Sequence, residues 1–199
     1  MKKLVAKIIS LIFNPVIFFI FMPYIIIYKY TSDILYAIKW TIFSIIFIIV
    51  TVIILFIGKK RNIFSDYDLS NRHERAIFYI IISVLALIYL IISLFLKGIF
   101  FPMSIMSISI FIGIILFMFV NQFIKASIHM AIAFAFAISI NILFNHPPLY
   151  AFFTVIPFVA WSRLELKRHT KKEMYIGSVM GSIITIVTFL GARYIYYGY

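Results

Sequence analysis

The sequence contains no cysteine, and that absence excludes several kinds of site at once. Disulfide bonds, thiol nucleophiles and cysteine-ligated metal centres all require the missing residue. Negative charge is almost as scarce, with six Asp and Glu among 199 residues. Charged residues make up 12% of the chain, about half the share that soluble domains carry. We therefore expect no soluble globular domain.

The chain is rich instead in apolar and basic residues. Hydrophobic residues make up 65% of it, and the mean hydropathy is +1.14. The 18 lysines and arginines leave a formal net charge of +12. A soluble protein this basic would suggest nucleic-acid binding, whereas in so apolar a chain the basic residues are explained first by a membrane surface. We expect a lipid bilayer as partner and no nucleic acid.

Long apolar runs predict the fold class. A helix needs about 20 mostly apolar residues to cross a bilayer, and continuous runs without period-two alternation argue against a barrel. Seven segments reach or approach this length: 8–28, 34–57, 76–96, 100–120, 126–144, 149–162 and 174–195. The sequence predicts an all-α, polytopic membrane helical bundle of about seven transmembrane helices, or six if the short sixth segment does not span. These helices would form a single membrane domain over 1–199.

The connections between the segments differ in charge. Three are short and almost neutral: 29–33, 97–98 and 145–148. Four stretches are basic, and alternating helices would bring them to one side, called here the basic face: the N-terminus, 58–75, 121–125 and 163–173. The basic residues outside these stretches are Lys29, Lys39, Lys97 and Arg193, and the role of Lys39 stays open. The positive-inside rule places the basic face in the cytoplasm of a plasma-membrane protein.

Three polar clusters on the basic face carry residue types that bind anions. They cover 66–75, 125–129 and 162–173. Arginine presents a fork of donors that matches phosphate oxygens, and lysine adds a point charge. Ser127 stands where the fifth segment begins, and a helix start there would direct backbone N–H groups at a phosphate. Elsewhere, Gly177 and Gly181 form a small-xxx-small pair, which predicts close packing against a neighbouring helix.

Two histidines in these clusters suggest chemistry rather than binding alone. His169 and Glu173 are four residues apart, so on a helix they share one face. A carboxylate beside an imidazole holds its tautomer and orientation, as in a catalytic triad. His129 lies two residues beyond Ser127. One histidine could attack phosphorus while the other protonates the departing oxygen.

The three clusters resemble the signatures of the type 2 phosphatidic acid phosphatase and haloperoxidase superfamily. Ser162-Arg163, five further residues, His169 and an acid four positions on resemble the third signature. Residues 126–129 read Ala-Ser-Ile-His where the shorter signature usually reads Pro-Ser-Gly-His. Residues 71–75 are similar to the Asn/Asp-Arg-x-Glu-Arg core of a divergent first signature. The resemblance covers about 58–195 and leaves 1–57 as two preceding transmembrane helices.

The resemblance implies hydrolysis of a membrane lipid phosphate or diphosphate without metal or other cofactor. His169 would be the nucleophile that forms a phosphohistidine, Glu173 its orienting acid in place of the usual Asp, and His129 the general acid. The phosphoryl oxygens would be held by Arg163, Ser127, either Arg72 or Arg75, and Lys125. The substrate would be a polyprenyl phosphate or diphosphate, or a phosphatidate-type lipid.

The chain departs from the family pattern at several positions. A strict register puts Asp68 where the first signature has its lysine and Ala76 where it has proline. Ala126 and Ile128 replace the proline and glycine of the shorter signature. None of these changes removes the nucleophile, the general acid or the phosphate arginine. The roles of Asp66 and Asp68 stay open.

Two other functions are compatible with the same residues. A transferase on this fold would pass the phosphoryl or head group to a lipid alcohol instead of water. A non-catalytic anionic-lipid binding or transport protein would need the arginines but not the spacing of His169 and Glu173. The sequence indicates neither the lipid tail and head group nor the oligomeric state.

Overall fold

The structure is a computed structural model that describes residues 1–145 and 147–197, so His146 lies outside the described residues. Every regular element in this part of the chain is a helix, which confirms the all-α prediction. The α-helices are α1 (Lys2–Ile12), α2 (Pro15–Thr31), α3 (Ile34–Lys60), α4 (Arg72–Lys97), α5 (Pro102–Val120), α6 (Ile128–Phe144), α7 (Val155–Glu165) and α8 (Lys171–Tyr197). A 3-10 helix spans Pro147–Thr154.

Several of these helices are long and apolar enough to cross a membrane. By length and composition five stretches qualify: Lys2–Thr31, Ile34–Lys60, Arg72–Lys97, Pro102–Val120 and Lys171–Ile195. Helix α6 is equally apolar but has 17 residues, about 26 Å at 1.5 Å per residue. Large apolar side chains such as Phe95 and Leu35 are exposed on these helices, and only lipid can cover so much apolar surface. The chain is therefore a multi-pass membrane protein.

The first predicted segment, 8–28, is not one continuous helix. Helix α1 ends at Ile12 and α2 begins at Pro15. Proline suits the first position of a helix because its missing N–H would be unsatisfied there anyway. Asn14 caps α2, with its side-chain Oδ1 accepting from the main-chain N of Val16 at 3.0 Å. The sequence Asn-Pro therefore separates a short N-terminal helix from the helix that follows.

The sixth predicted segment, 149–162, also differs from a single span. It forms all but the first two residues of the 3-10 helix and most of α7, which have eight and 11 residues. At rises of about 2.0 and 1.5 Å per residue, the two elements extend for roughly 32 Å in all. Neither crosses a hydrocarbon core of about 30 Å alone, but together they are long enough to do so.

The chain divides into two compact units. The terminal unit consists of Met1–Met22 and Ala126–Tyr199, and the central unit is Pro23–Lys125. Within the central unit, hydroxyl groups join neighbouring helices. Ser93 of α4 and Ser104 of α5 are fully buried with their oxygens 2.8 Å apart. Such bonds between membrane helices contribute on the order of 1 kcal/mol each.

In the terminal unit, α6 and α8 pack closely and run in the same direction. The main-chain N of Ser127 donates to the carbonyl oxygen of Glu173 at 3.0 Å. A Cβ atom added to Gly177 would collide with the Ser127 carbonyl oxygen, and one added to Gly181 would collide with that of Ala131. From the first contact to the second, the residue number increases by four on both helices, so the helices are parallel. The prediction that the two glycines permit close packing is confirmed.

Parallel neighbours require the chain between them to return to the starting end. The 3-10 helix and α7 make this return within the terminal unit. Val159 of α7 packs with Met130 of α6 and Met174 of α8 in one apolar cluster. Because Met130 and Met174 lie near the first residues of their helices, the C-terminal end of α7 lies beside the starts of α6 and α8. Residues 126–129 and the polar cluster 162–173 therefore meet at one end of this unit.

Candidate functional site

His169 and Glu173 form the hydrogen-bonded pair that their spacing predicts. The Nδ1 atom of His169 lies 3.0 Å from Oε2 of Glu173. Their side chains are 3% and 19% exposed, so the pair is largely shielded from solvent. A carboxylate accepting from Nδ1 fixes the tautomer that carries its proton there. In that tautomer Nε2 carries no proton, and it is the ring atom that a nucleophilic histidine would use.

Two local motifs hold His169 in place between α7 and α8. Helix α7 ends in a Schellman motif, in which Arg168 N donates to the Arg163 carbonyl at 3.0 Å and Lys167 N donates to that of Leu164 at 2.9 Å. Lys167 adopts the left-handed conformation that this motif requires, with φ of 53°. The chain therefore reverses sharply just before His169.

The second motif is a capping box at the start of α8. Glu173 Oε2 accepts from the main-chain N of Thr170 at 3.0 Å, and Glu173 N donates to the Thr170 hydroxyl at 3.3 Å. The signal was present in the sequence as Thr-x-x-Glu, but the interpretation of Glu173 as an orienting acid overlooked it. The same carboxylate oxygen thus caps the helix and holds the imidazole, which restricts its position from two directions.

Ser127 lies at the start of α6 and is fully buried. Its main-chain N–H bonds Glu173, so this N–H is not one of the donors that the helix start offers to an anion. Its hydroxyl has no hydrogen-bond partner within residues 1–145 and 147–197. A buried hydroxyl without a partner costs about 1–3 kcal/mol, and a ligand oxygen would offset that cost.

Arg163 is buried in the last turn of α7, with 2% of the residue exposed. Its Nη1 atom donates to the hydroxyl of Ser10 in α1 at 2.8 Å. A buried guanidinium is costly unless its donors are satisfied, so a buried position favours an anionic ligand nearby. Sequence reasoning missed Ser10, because it lies 153 residues from Arg163 in the sequence and outside the region that resembles the family.

His129 and Arg163 lie at the same level of the terminal unit. His129 precedes Ala133 by one helical turn in α6, and Arg163 follows Val159 by one turn in α7. Ala133 and Val159 belong to one apolar cluster, so the faces of α6 and α7 that carry them pack together. His129 and Arg163 lie on these same two faces, one helical turn closer to the polar end. The Nε2 atom of His129 is buried. The structure thus gathers five sequence-predicted residues in this unit: Ser127, His129, Arg163, His169 and Glu173.

Arg72, in the central unit, uses its guanidinium to close the end of α5. Its Nε atom donates to the Asn121 carbonyl at 2.9 Å, and Nη2 donates to that of Gln122. The Asn121 side chain returns a bond to the Arg72 carbonyl at 3.0 Å. Cationic donors at a helix C-terminus are favoured by the helix dipole. These contacts give Arg72 a structural role in the central unit, and its contact with phosphate stays a prediction.

Arg75 is also occupied within the central unit. It is buried, and its Nε atom donates to the Leu69 carbonyl at 3.2 Å. Its guanidinium also interacts with the hydroxyl of Tyr79, one turn along α4. Leu69 has a φ of 50°, a left-handed conformation in the connection between α3 and α4. Arg75 therefore holds this connection against α4.

The acids of the first cluster shape the same connection. Asp66 Oδ1 accepts from the main-chain N of Asp68 at 2.8 Å and of Ser70 at 3.3 Å, which is a side-chain-capped turn. Glu74 Oε2 accepts from the N and the hydroxyl of Ser65 at 2.7 and 3.0 Å. The cluster that resembles the first signature is thus committed to loop structure. Lys125 is half-buried in the connection before α6.

An apolar groove of about 460 Å³ follows one face of α8 in the terminal unit. Lys171 lies at its polar end, two residues from His169, and Ile183 at the other, about 18 Å along the helix. The hydroxyls of Ser178 and Ser182 donate to carbonyls one turn earlier at 2.9 Å, so they leave the wall without free donors. Its apolar lining includes Met130, Phe134, Ile156, Met174 and Val179.

The part of the chain that the structure describes contains no group of three or more His, Asp and Glu residues positioned to hold a metal ion. Comparison of the chain with protein-family models, with curated proteins and with solved structures gives no match in any of the three. The resemblance to the phosphatase superfamily therefore depends on the residues of the terminal unit and their geometry.

Proposed function

We propose that the protein is a metal-independent lipid phosphate phosphatase, a divergent member of the type 2 phosphatidic acid phosphatase superfamily. The observation that carries this proposal is the buried imidazole of His169, held by Glu173 at 3.0 Å beside the start of α6. A carboxylate that holds Nδ1 of a buried imidazole fixes the orientation of the ring, and an oriented imidazole is suited to act as a nucleophile.

The reaction would proceed in two displacements at phosphorus. Nε2 of His169 attacks, an N–P bond forms, and the bond between phosphorus and the lipid oxygen breaks as His129 gives that oxygen a proton. Water then attacks the phosphohistidine, His129 takes a proton from the water, and the N–P bond breaks to release phosphate. The second displacement returns to His129 the proton that it gave up in the first, so the enzyme is regenerated.

Arg163 and Ser127 would stabilise the transferring phosphoryl group. Phosphoryl transfer spreads negative charge over the equatorial oxygens, and preorganised donors in a shielded site are most effective against such charge. Arg163 supplies the charge and Ser127 a hydroxyl that has no other partner within the described chain. We assign no phosphate contact to Arg72 or Arg75, since the Nε atom of each donates to a main-chain carbonyl of the central unit.

The apolar groove favours a lipid substrate over a soluble phosphate ester. It begins at Lys171, near the catalytic pair, and continues along α8 toward the membrane interior. A lipid head group at Lys171 would leave its tail in the groove. A groove along one helix face accommodates a single lipid tail. This favours a polyprenyl phosphate or diphosphate, which has one tail, over a phosphatidate, which has two.

The membrane face of the site is part of the proposal. The exposed side chains of Lys167, Lys171 and Lys172 surround the starting end of α8. The positive-inside rule assigns this end to the cytoplasmic face, and we propose the plasma membrane as its location. Basic residues at an anionic surface also attract lipid phosphates, by about 1 kcal/mol each.

A phosphate-release panel tests the function. Purified protein in vesicles, with EDTA present, is expected to release phosphate from a polyprenyl phosphate or diphosphate faster than from phosphatidate or glycerol phosphate. His169→Ala should abolish release, whereas His73→Ala, an exposed histidine of the central unit, should not change it. Folded wild-type protein that releases phosphate from none of these compounds would reject the proposal. Transfer to an added lipid alcohol, in place of release, would identify the transferase alternative.

A further inference from the structure

Helix α1 has one face that belongs to the protein. Ala6 and Ser10 are four residues apart, so they lie on the same side of the helix. Ala6 is fully buried and Ser10 is half-buried where α1 packs against α7. Phe13, directly after α1, packs against the apolar cluster around Val159. This face is therefore fixed to the terminal unit at its polar end.

The opposite face of α1 is apolar and exposed. Its five aliphatic side chains are between 47% and 63% exposed: Leu4, Val5, Ile8, Leu11 and Ile12. Lys7 borders this face one turn before Leu11, Lys3 lies on the other side of the helix seven residues before Ser10, and both lysines are exposed. An apolar arc on a helix with exposed lysines is the pattern of a helix that lies in a membrane interface. With 11 residues, about 16 Å, α1 is too short to span a bilayer by itself.

The hydrogen bond from Arg163 Nη1 to Ser10 Oγ, 2.8 Å long, connects this surface helix to the candidate site. A guanidinium is planar, so fixing one nitrogen restricts the direction of the whole donor fork. The residue that provides this restriction lies on the protein-facing side of α1, one turn beyond Ala6. The orientation of Arg163 thus depends on where α1 lies.

We propose that α1 is an interfacial helix that rests its apolar face in an anionic bilayer and positions Arg163 through Ser10. The positioning half of this inference rests on the proposed function, because it concerns the arginine of the phosphate site. The bilayer half stands on the exposure and charge of α1 alone. Ser10 is a positioning residue, since it acts through Arg163 and not on the substrate.

Spin labels on α1 test the bilayer half. The chain has no cysteine, so Leu4→Cys, Leu11→Cys and Lys3→Cys each give one labelling site. In vesicles with anionic lipid, labels at positions 4 and 11 should be accessible to lipid-soluble oxygen, and the label at position 3 to an aqueous nickel complex. Equal aqueous accessibility at all three positions would overturn the placement.

Kinetics of Ser10 variants test the positioning half. Ser10→Ala should lower kcat about 10-fold with little change in KM, because a hydrogen bond to a charged group is worth roughly that factor. Ser10→Thr keeps the hydroxyl and should restore kcat. Unchanged kcat in Ser10→Ala would overturn the positioning role.

The two halves fail separately. If the wild-type protein releases no phosphate, the proposed function and the positioning role are both rejected, and the spin labels still decide whether α1 lies in the interface. If phosphate is released and Ser10→Ala is fully active, only the positioning role is rejected.

Discussion

Glu173 is the most constrained side chain of the candidate site. Its Oε2 atom accepts from Nδ1 of His169 and from the main-chain N of Thr170, each at 3.0 Å. The first bond orients the proposed nucleophile, and the second caps the start of α8. Substitutions at Glu173 therefore affect stability and activity together, and a matched variant must separate the two.

Thr170→Ala is that matched variant, because it removes a capping hydroxyl and leaves the imidazole bond in place. It should destabilise the protein by about 1 kcal/mol and retain most of its activity. Glu173→Gln should lower kcat by roughly 100-fold or more, since a neutral amide no longer enforces the tautomer of His169. Thermal unfolding in detergent and phosphate release measure the two effects. Equal activity losses in both variants would show that Glu173 acts only as a cap.

Local residue relationships were more predictable than distant ones. The four-residue spacing of His169 and Glu173 predicted their contact, but His169 precedes α8, and the capping box rather than a helical turn brings the Glu173 carboxylate back to it. The bond between Arg163 and Ser10 had no such signal, since it depends on how α1 packs against α7. The phosphate role of Arg72 was inferred from the resemblance to a family signature, and such a resemblance does not reveal that Arg72 also donates to main-chain carbonyls at the end of α5.

At the scale of elements, the contact between α6 and α8 determines the geometry of the site. Both helices start at the polar end, and their closest approach is at Gly177 and Gly181. The backbones approach closely only because these residues have no Cβ atom. Ser127 and Glu173 are joined by a hydrogen bond at the polar end of the same contact.

Gly181→Ala should therefore destabilise the protein by about 1–3 kcal/mol, because the new methyl group collides with main-chain atoms of Ala131 that cannot move aside. Gly191→Ala in the same helix is the control, since a Cβ there meets no atom of the described chain within 4 Å. Unfolding in detergent, followed by tryptophan fluorescence or gel mobility, measures both. A Gly181→Ala protein as stable as Gly191→Ala would contradict the packing described for α6 and α8.

Element type was predictable where apolar runs were long, and boundaries were less so. Runs of about 20 apolar residues have few alternatives to a helix in lipid, because unpaired backbone groups are too costly there. The break at Asn14 and Pro15 carries a recognisable cap signal but lies inside an apolar run. The 3-10 helix at Pro147–Thr154 occupies residues 149–154 of a predicted span, because an apolar run does not by itself specify the type of helix.

At the scale of the whole molecule, membrane orientation is the property that links charge to function. Lys172 is exposed near the start of α8, and Arg193 is exposed near its other end. We expect Lys172→Cys to be protected from an impermeant thiol reagent in intact cells and Arg193→Cys to react with it. The absence of native cysteine makes each signal specific. Reaction of Lys172→Cys alone would put the site on the outer face, and reaction of both would exclude α8 as a span.

The net charge of +12 indicated that basic residues lie at a membrane surface, but it did not separate the roles of individual basic residues. Arg72 and Arg75 stabilise main-chain structure, and Arg163 is buried in the terminal unit, where it bonds Ser10. The three arginines differ in burial and in hydrogen-bond partners, and neither property can be read from composition.

Trapping of the covalent intermediate tests the role of His169 most directly. Protein mixed with a radiolabelled polyprenyl phosphate or diphosphate and quenched during turnover should carry an acid-labile, alkali-stable phosphoryl group. Peptide mapping should locate that group on His169, and His169→Ala should carry none. Turnover without any phosphoryl-protein, or equal labelling of His169→Ala, would contradict nucleophilic catalysis by His169.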